Sequence, residues 1–539
     1  MKVNGMLTRA LALFVFFLPF CSYSYVKIES RGNKQVYDFV VDNIKFENKK
    51  VDDNHFVVAT LEGVEGYSGI NYELGSPEVP VIRFNVEAND FKDIKIITRQ
   101  YLTEKSYQIE GQLKPVFDSV LKVAGARYQI VKNDHFFEAI SYPQDTYIIS
   151  PLGSVRGVKN FQVTLYPVQF LGSTNEIKIT RSFQVEVKKN KISDVGSLEG
   201  ILFVIGQKFT NAPSLKNYIA KKARSGFEVS QINAKNLNPD QIRLKIKELY
   251  SLKPNLKYVI LIGDIADVPS KTSLLISGVT DHYYASIDTD DYTSDIATPD
   301  LYVGRISAAS AEELGTILLK YSRYIDGDFS SRGWMGRASF LATNDRWQLA
   351  EATHNYVIDG YTAARGYTGT FPGATEAGGD KLYAITNHAE TKEVMEAFLQ
   401  GRSIIDYSGH GAETFWDSPR VSQVDVRSMT FSSLPFVISN ACITGNFRIA
   451  ESFAETWQRQ EWGAVMFWGS MDSTYWDEDD ILEKKMFDGI FRNANLAFGP
   501  ITDFALIEMA KYYGGEGRSN YYFETYHMFG DPSIALRLK

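Results

Sequence analysis

Two side chains in the second half of the sequence have the types and spacing of a nucleophile and its base. His410 follows the short apolar run Ser403–Tyr407, and Cys442 follows a second such run, Leu434–Ile438. Short apolar runs that end in turn residues predict buried strands, and parallel strands gather reactive groups beyond their carboxyl ends. An imidazole beside a thiol takes its proton and leaves a thiolate, the form that attacks carbonyl carbon. The pattern therefore predicts a Cys–His pair for nucleophilic catalysis, with the amides of Gly411 and Cys442 directed at a developing oxyanion.

The first 24 residues have the features of an export signal. Lys2 and Arg9 supply positive charge, and the apolar stretch Ala10–Phe20 is too short to span a bilayer. Small residues follow, so we expect cleavage after Ser24, with an N-terminal membrane anchor as the alternative. A removed signal predicts a secreted, periplasmic or cell-surface protein whose mature chain has no transmembrane segment.

Cysteine content supports a reactive thiol. The chain has two cysteines, and removal of the signal would take away Cys21 and leave Cys442 without a disulfide partner. A single free thiol in an exported protein indicates a catalytic nucleophile, whereas a buried inert cysteine is the alternative. The serine-hydrolase motif G-x-S-x-G and the zinc-peptidase motif H-E-x-x-H are both absent from the sequence. The net charge of −8 argues against a nucleic-acid-binding surface.

Periodicity divides the chain into a β-rich part and an α/β part. A length of 539 residues predicts about three or four domains. Residues 25–190 alternate or are rich in β-branched side chains, without a long helical period, which predicts an all-β domain. From residue 200 onward strands alternate with helices, which predicts a parallel sheet flanked by helices, divided into subdomains 200–337 and 338–539.

A linker is expected between the two parts. The stretch Lys188–Ser197 is charged at first and then small and polar, a composition typical of loops, and residues 191–199 are the predicted linker. Lys188, Lys189 and Lys191 make the segment a candidate for proteolytic processing, because exposed polar loops are preferred cleavage sites.

Two blocks of this sequence resemble the gingipain family of cysteine peptidases, which share the caspase-like fold. The blocks are Tyr407–Trp416 and Asn440–Phe447, and they place His410 and Cys442 32 positions apart in the same order as in the family. The resemblance covers residues 155–539. It implies a secreted endopeptidase made as a zymogen, with residues 25–190 as a propeptide that covers the active site and is removed. A permanent β-sandwich binding module is the alternative for residues 25–190.

The resemblance also implies an acid partner for the histidine. Gingipains place an acid at the end of the strand that here begins at Ala338, and this position falls on Asp345. A carboxylate that accepts the second ring N–H would fix the tautomer of His410 and favour the imidazolium. The alternative is that Asp345 caps the helix that follows.

Residues of a substrate pocket follow from the same comparison. In lysine-specific members of the family the pocket residues correspond here to Trp476, Asp479, Asn440, Tyr475 and Ser408, the last replacing a threonine. An acid at the base of an apolar slot would pair with a lysine ammonium, while an aromatic wall packs on its methylenes. This implies cleavage after a basic residue, with lysine favoured. The alternative is that the acids at 477–480 form a solvated helix start.

An acidic loop, Asp281–Arg305, is a candidate cation site. Carboxylates at alternate positions with interleaved carbonyls suit calcium, and the best candidates are Asp288, Asp290 and Asp300. Gingipains carry structural calcium near this place, and a solvated acidic loop is the alternative. Catalysis itself is expected to need no cofactor.

Two other functions remain open at this stage. The first is a non-catalytic surface protein that binds a partner on the same scaffold. The second is a transpeptidase that uses the Cys–His pair with an amine acceptor, because the sequence does not separate hydrolysis from transfer. The expected partners are protein or peptide substrates and the chain's own propeptide, and not nucleic acid.

Overall fold

The structure is a computed structural model that describes residues 24–98, 105–188, 198–430, 433–492 and 497–539. The predicted signal, apart from Ser24, lies outside the described residues, as does most of the predicted linker with Lys189 and Lys191. We refer to residues 24–188 as the β-region and to residues 198–539 as the α/β-region. No helix within the described ranges is long and apolar enough to cross a membrane.

The β-region consists of antiparallel sheets around one hydrophobic core. Phe183, Val185 and Val187 alternate along one strand and all point into this core, as the two-residue repeat of a strand requires. In its described part the strands form two four-stranded sheets, a three-stranded sheet and a hairpin. In spatial order they are Tyr25–Arg31, Lys34–Val40, Ser182–Lys188, Ile94–Thr98; Ser68–Ile70, Pro80–Glu87, Val158–Leu165, Tyr147–Val155; Val168–Leu171, Glu176–Ile179, Lys105–Gln108; and Ile44–Val51, Asn54–Leu61. The predicted all-β fold is confirmed.

A ten-stranded sheet, counted over the described residues, forms the core of the α/β-region. Its strands in spatial order are Glu228–Asn233, Gly200–Ile205, Leu256–Ile262, Tyr302–Ile306, Tyr526–Phe529, Met466–Ser470, Phe436–Asn440, Ile404–Ser408, Ala338–Ala342 and Asp380–Tyr383. The first five run parallel to one another and so do the last five. The two halves meet in one antiparallel pair, Tyr526–Phe529 with Met466–Ser470. The C-terminal strand therefore joins the halves into one sheet.

Helices cover both faces of this sheet. Their bounds are Pro213–Arg224, Pro239–Leu252, Ala311–Asp326, Trp347–Val357, Thr391–Phe398, Gln423–Arg427, Phe453–Arg459, Trp476–Arg492, Phe498–Tyr513 and Ser519–Thr525. Local sequence sets their ends: the side chain of Asn238 accepts from the Gln241 amide at 2.9 Å and starts one helix. Gly327 and Gly514, with φ of 69° and 75°, end two others in the left-handed region.

Three neighbouring strands of the second half position the candidate residues. We call Ala338–Ala342 the acid strand, Ile404–Ser408 the histidine strand and Phe436–Asn440 the cysteine strand. They lie side by side in this order and run parallel, so their carboxyl ends share one edge of the sheet. Each candidate side chain follows the end of its own strand by two or three residues, which brings the three side chains to one place.

The β-region docks on the α/β-region through polar contacts. Arg83, which is almost fully buried, donates to the carbonyl oxygen of Tyr512 at 2.7 Å. This carbonyl belongs to the last turn of a helix, where partial negative charge favours a cation. Nearer the candidate site, Arg346 donates to the carbonyl oxygen of Ala126 at 2.7 Å.

One buried ion pair makes a testable contribution to the stability of the α/β-region. Arg402 donates Nε to Asp380 Oδ2 at 2.6 Å, and both side chains are fully buried. We expect Asp380→Ala to lower the free energy of unfolding by about 3–5 kcal/mol, because it leaves a buried guanidinium unpaired. Urea unfolding followed by tryptophan fluorescence measures the loss. The control is Asp326→Ala, which removes the largely exposed partner of Lys221 and should cost about 1 kcal/mol or less. Equal losses in the two variants would contradict the expectation.

Candidate active site

The acid and the imidazole are in direct contact. Asp345 Oδ2 lies 2.9 Å from His410 Nε2. Asp345 is not the capping residue of the helix Trp347–Val357, since that position is held by Arg346 in a left-handed conformation. The structure therefore places the Asp345 carboxylate against the imidazole rather than at the helix start.

The second ring nitrogen of His410 faces a residue of the β-region. His410 Nδ1 lies 3.0 Å from the carbonyl oxygen of Lys122. A carbonyl oxygen and a carboxylate both accept hydrogen bonds, so only the doubly protonated imidazolium donates to both partners. The edge of the Trp476 ring packs on the imidazole with a centroid distance of 5.5 Å.

The thiol of Cys442 contacts the same carbonyl oxygen. Its Sγ is 3.7 Å from the Lys122 oxygen and accepts from the Thr474 amide at 3.2 Å. Burial raises the pKa of the Cys442 thiol above its usual value. Ile443, the next residue, has a φ of 49°, which β-branched residues rarely adopt, so a strained turn presents the cysteine. Thiol and imidazole thus both contact one carbonyl oxygen.

The side chain of Lys122 fills a closed pocket beside the thiol. Its ammonium lies 2.6 Å from Asp479 Oδ2 and donates to the carbonyl oxygen of Asn440 at 2.6 Å. The ammonium also sits 4.7 Å from the centre of the Trp476 ring, a cation–π contact. Tyr526 donates its hydroxyl to the other oxygen of Asp479 at 2.7 Å and so holds the carboxylate in place. Lys122 and Asp479 are both buried, which makes this a fully desolvated ion pair.

The backbone before Lys122 pairs with the α/β-region as an added strand. The Lys122 amide donates to the Thr474 carbonyl at 2.9 Å, and the Trp476 amide donates to the Val120 carbonyl at 3.0 Å. Leu121 forms an antiparallel bridge with Tyr475 between these two bonds. Main-chain pairing of this kind, with one side chain in a pocket, is a common mode of peptide recognition. The segment Val120–Lys122 therefore lies as a bound peptide would.

Three of the sequence-predicted pocket residues, Asn440, Tyr475 and Ser408, remain predictions. Asn440 offers its carbonyl oxygen, while its side chain points away from the pocket. Tyr475 pairs through its backbone, and its ring packs on the guanidinium of Arg518 at 3.7 Å. Ser408 makes no hydrogen bond to Lys122 in the described part of the chain. Trp476 and Asp479 do contact the lysine side chain.

The oxyanion donors remain a prediction. Among the described residues, the Lys122 carbonyl oxygen bonds with the imidazole and the thiol, and not with the amides of Gly411 or Cys442. Gly411 nevertheless packs directly on the cysteine turn, because a Cβ there would meet Ala441 Cβ and the Cys442 oxygen at 2.9 Å each. This close approach explains why the position needs glycine.

Two carboxylates of the acidic loop accept hydrogen bonds from backbone amides of the β-region. Asp300 Oδ1 accepts from the Arg156 amide at 2.7 Å, and Asp288 Oδ2 accepts from the Gly157 amide at 2.5 Å. Burial raises the pKa of Asp300 to about 7. Asp290 is fully exposed and faces a lysine instead. Asp288 and Asp300 are neighbours, because the Asp288 amide donates to Asp300 Oδ2 at 3.0 Å, whereas Asp290 lies apart from them, and calcium at this loop remains a prediction.

Sequence reasoning missed three contributors to the site. Lys122 and Tyr526 lie far from the two motif blocks in the sequence, and neither has a local signal. Thr474 lies two residues before Trp476, a predicted pocket residue. Its backbone contacts with Cys442 and Lys122 could therefore have been expected from the sequence. The missed groups are those that contact site residues distant from them in the sequence.

Comparisons with known proteins agree with this geometry. Residues 200–537 match Peptidase family C25, and residues 27–216 match the family described as Propeptide_C25. Gingipain R1 of Porphyromonas gingivalis is 23% identical over 93% of this chain and 53% of its own length. Lys-gingipain of the same species is 24% identical over 86% of this chain and 30% of its own length. The chain thus spans about half or less of these relatives.

The fold is also that of a solved structure. The crystal structure of the Arg-specific cysteine proteinase gingipain R superposes with a TM-score of 0.54 at 24% identity, over 65% of this chain and 81% of that one. The predicted caspase-like α/β fold is confirmed by this similarity and by the sheet and helices described above. Because the family match covers more than half of the sequence, the chain belongs to Peptidase family C25.

Proposed function

We propose that this chain is the zymogen of a secreted cysteine endopeptidase that cuts after basic residues and prefers lysine. The observation that carries the proposal is the position of Lys122. Its ammonium pairs with Asp479 in a closed pocket, while its carbonyl oxygen contacts both the Cys442 thiol and the His410 imidazole. A lysine before a scissile bond would place its side chain and its carbonyl group in the same way.

The proposed reaction uses the three side chains at the strand ends. Cys442 attacks the carbonyl carbon as a thiolate, and the bond to the leaving amine breaks when His410 protonates that amine. Asp345 holds the imidazole through Nε2, so Nδ1 is the nitrogen that exchanges protons with thiol, amine and water. His410 then activates a water molecule, which hydrolyses the thioester and releases the new carboxyl end. The amides of Gly411 and Cys442 are the proposed oxyanion donors, worth about 10²–10³ in rate each.

Lysine preference follows from the shape and chemistry of the pocket. Two acceptors, Asp479 and the Asn440 carbonyl, lie 2.6 Å from the ammonium of the fully buried Lys122 side chain. An ammonium is a compact point charge with three donors, and the two acceptors take two of them while the ammonium also contacts the Trp476 ring. A guanidinium is larger and planar, so it would have to displace the groups that close the pocket.

The β-region would keep the enzyme latent by occupying the site in an unproductive way. The Lys122 oxygen points at the imidazole, whereas attack requires it to face oxyanion donors. The Val123 amide donates back to the Leu121 carbonyl at 2.8 Å, so the chain turns sharply at Lys122 and leaves the cleft. Burial also keeps the Cys442 thiol neutral by raising its pKa. These three features explain how Lys122 occupies the pocket without being cut.

Transpeptidation is retained as a second candidate because the same thioester would react with an amine as well as with water. The non-catalytic alternative is disfavoured by the complete arrangement of thiol, imidazole and carboxylate. Export through residues 1–24, processing in the lysine-containing linker and calcium at the acidic loop stay part of the proposal.

A fluorogenic peptide panel with Lys, Arg, Asp or Asn before the scissile bond tests the reaction and its specificity. We expect the processed protein to cleave the lysine substrate fastest and the acidic and amide substrates not at all. Cys442→Ala should abolish cleavage, and Asp345→Asn should lower kcat by about 10²–10⁴-fold, because the imidazole loses its orienting partner. Activity that survives Cys442→Ala would exclude the proposed nucleophile. If an added amine becomes joined to the new carboxyl end in place of water, the enzyme is also a transpeptidase.

The role of Asp479 is tested by its amide variant. We expect Asp479→Asn to lower kcat/KM for the lysine substrate by about 30-fold or more, because breaking a buried charge pair costs about 2–5 kcal/mol. Asp480→Asn is the matched control, since this neighbour on the same helix pairs with Lys484 instead. A similar loss in both variants would argue against a specific lysine contact.

Latency is tested without any assay of cleavage. The chain from residue 25 has one thiol, so its rate of alkylation by iodoacetamide reports access to Cys442. We expect Lys122→Ala to speed alkylation of the unprocessed protein at least tenfold, because the segment loses its buried anchor. Lys122→Met keeps most of the aliphatic side chain, so we expect its alkylation rate to lie between those of the wild type and Lys122→Ala. Alkylation at the wild-type rate in Lys122→Ala would contradict the proposed role of this lysine.

A further inference from the structure

A second cluster of chemically capable side chains lies beneath the floor of the lysine pocket. His354 comes from the helix Trp347–Val357, Asp406 from the middle of the histidine strand and Glu483 from the helix Trp476–Arg492. All three side chains are fully buried. None of them has a part in the proposed reaction.

The three side chains turn one atom each toward a common point. His354 Nε2 lies 3.3 Å from Glu483 Oε1 and 3.8 Å from Asp406 Oδ2, and the ligand atoms of the cluster all lie within 4.8 Å of one another. None of these three atoms has a hydrogen-bond partner outside the cluster among the described residues. Buried polar atoms are normally paired, so three such atoms that face one another require an explanation.

The outer oxygens of the two carboxylates are held in place. The Asn440 side chain donates Nδ2 to Asp406 Oδ1 at 3.3 Å and to Glu483 Oε2 at 3.1 Å. The imidazole is packed between the rings of Phe340 and Tyr383, with centroid distances of 5.6 and 5.9 Å. The two carboxylates are thus held by Asn440 and the imidazole by ring packing, while His354 Nδ1 has no hydrogen-bond partner among the described residues.

We propose that His354, Asp406 and Glu483 bind one divalent transition-metal ion of the zinc or manganese class. A cation about 2.0–2.2 Å from each of three ligands separates those ligands by about 3–4 Å, which the two measured distances match. Two carboxylates and a dication are together neutral, which is the condition for burying them. The imidazole favours a transition metal over calcium or magnesium, which prefer oxygen ligands.

The site lies where it would support lysine recognition. Asn440 connects the two, because its side chain binds both carboxylates and its carbonyl oxygen accepts from the Lys122 ammonium. Glu483 is also one helical turn after Asp479, the acid of the pocket. The metal ion would therefore fix the pocket floor from below. The rival arrangement is metal-free, with a proton shared between the two carboxylates beside a neutral imidazole.

Metal content decides between the two arrangements, and it does not depend on peptidase activity. The chain from residue 25 with Cys442→Ala stays unprocessed and has no thiol to bind zinc adventitiously. It is produced in medium supplied with zinc and manganese, dialysed against EDTA and measured by inductively coupled plasma mass spectrometry. We expect about one equivalent of metal per chain, and a loss of most of it in Asp406→Asn and Glu483→Gln. His55→Gln, which removes an exposed histidine of the β-region, should keep the full content.

Two results would overturn the proposal. One is a chain that holds no metal above the level of the buffer. The other is equal metal in the parent and in both carboxylate variants, which would place the ion elsewhere. If the variants do not fold, X-ray absorption at the zinc or manganese edge of the parent still decides, since it must report one imidazole among oxygen ligands. The two tests are independent. A chain without metal would not contradict cleavage after lysine, and a chain that does not cleave after lysine would not contradict the measured metal content.

Discussion

The ion pair between Lys122 and Asp479 is the constraint on which the arrangement of the site depends. Both charges are buried, and neither would be tolerated alone, since an unpaired buried charge is far more costly than a paired one. The pocket is therefore stable only when a cation fills it or when water reaches Asp479. The same requirement explains how one pocket serves two purposes, because the lysine that blocks it has the chemistry of the lysine it is proposed to recognise.

The topology of the sheet explains why the three reactive groups meet. Strands that are neighbours in a parallel sheet end at one edge, and the acid, histidine and cysteine strands are three such neighbours. Each reactive residue lies two or three residues after the end of its strand, so the strand restricts where it can lie. The strained turn at Ile443 and the glycine at 411 then bring the cysteine backbone close to the histidine loop. The shared edge of the sheet therefore sets where the three reactive residues lie, and the short turns set how their side chains are oriented.

Local signals in the sequence were sufficient for these elements. The apolar runs before His410 and Cys442 correspond to the histidine and cysteine strands, displaced by one or two residues at their ends. The contact of Asp345 with the imidazole was accessible for the same reason, since the residue follows a strand. What the sequence did not indicate is the strand Tyr526–Phe529, which has no long apolar run and pairs with Tyr302–Ile306 on one side and Met466–Ser470 on the other.

Contacts between distant parts of the chain account for the rest. Lys122 is 320 positions from Cys442, and no pattern around it marks it as the occupant of a pocket. Asp406 was hidden in a run interpreted as a buried apolar strand, and His354 has no glycine-flanked strand end to draw attention to it. Their shared feature is visible only in three dimensions, where two carboxylates and an imidazole face each other without partners.

The proposed latency depends on position and not on a missing component. Thiol, imidazole and carboxylate are already assembled while Lys122 is bound, so removal of the β-region need not build the site. Its departure would instead let water reach the thiol, which relieves the desolvation that raises the thiol pKa. It would also free His410 Nδ1 from the Lys122 carbonyl, so that the imidazole can take the thiol proton. Activation would then amount to uncovering groups that are already in place, and one buried lysine would be enough to hold the chain inactive.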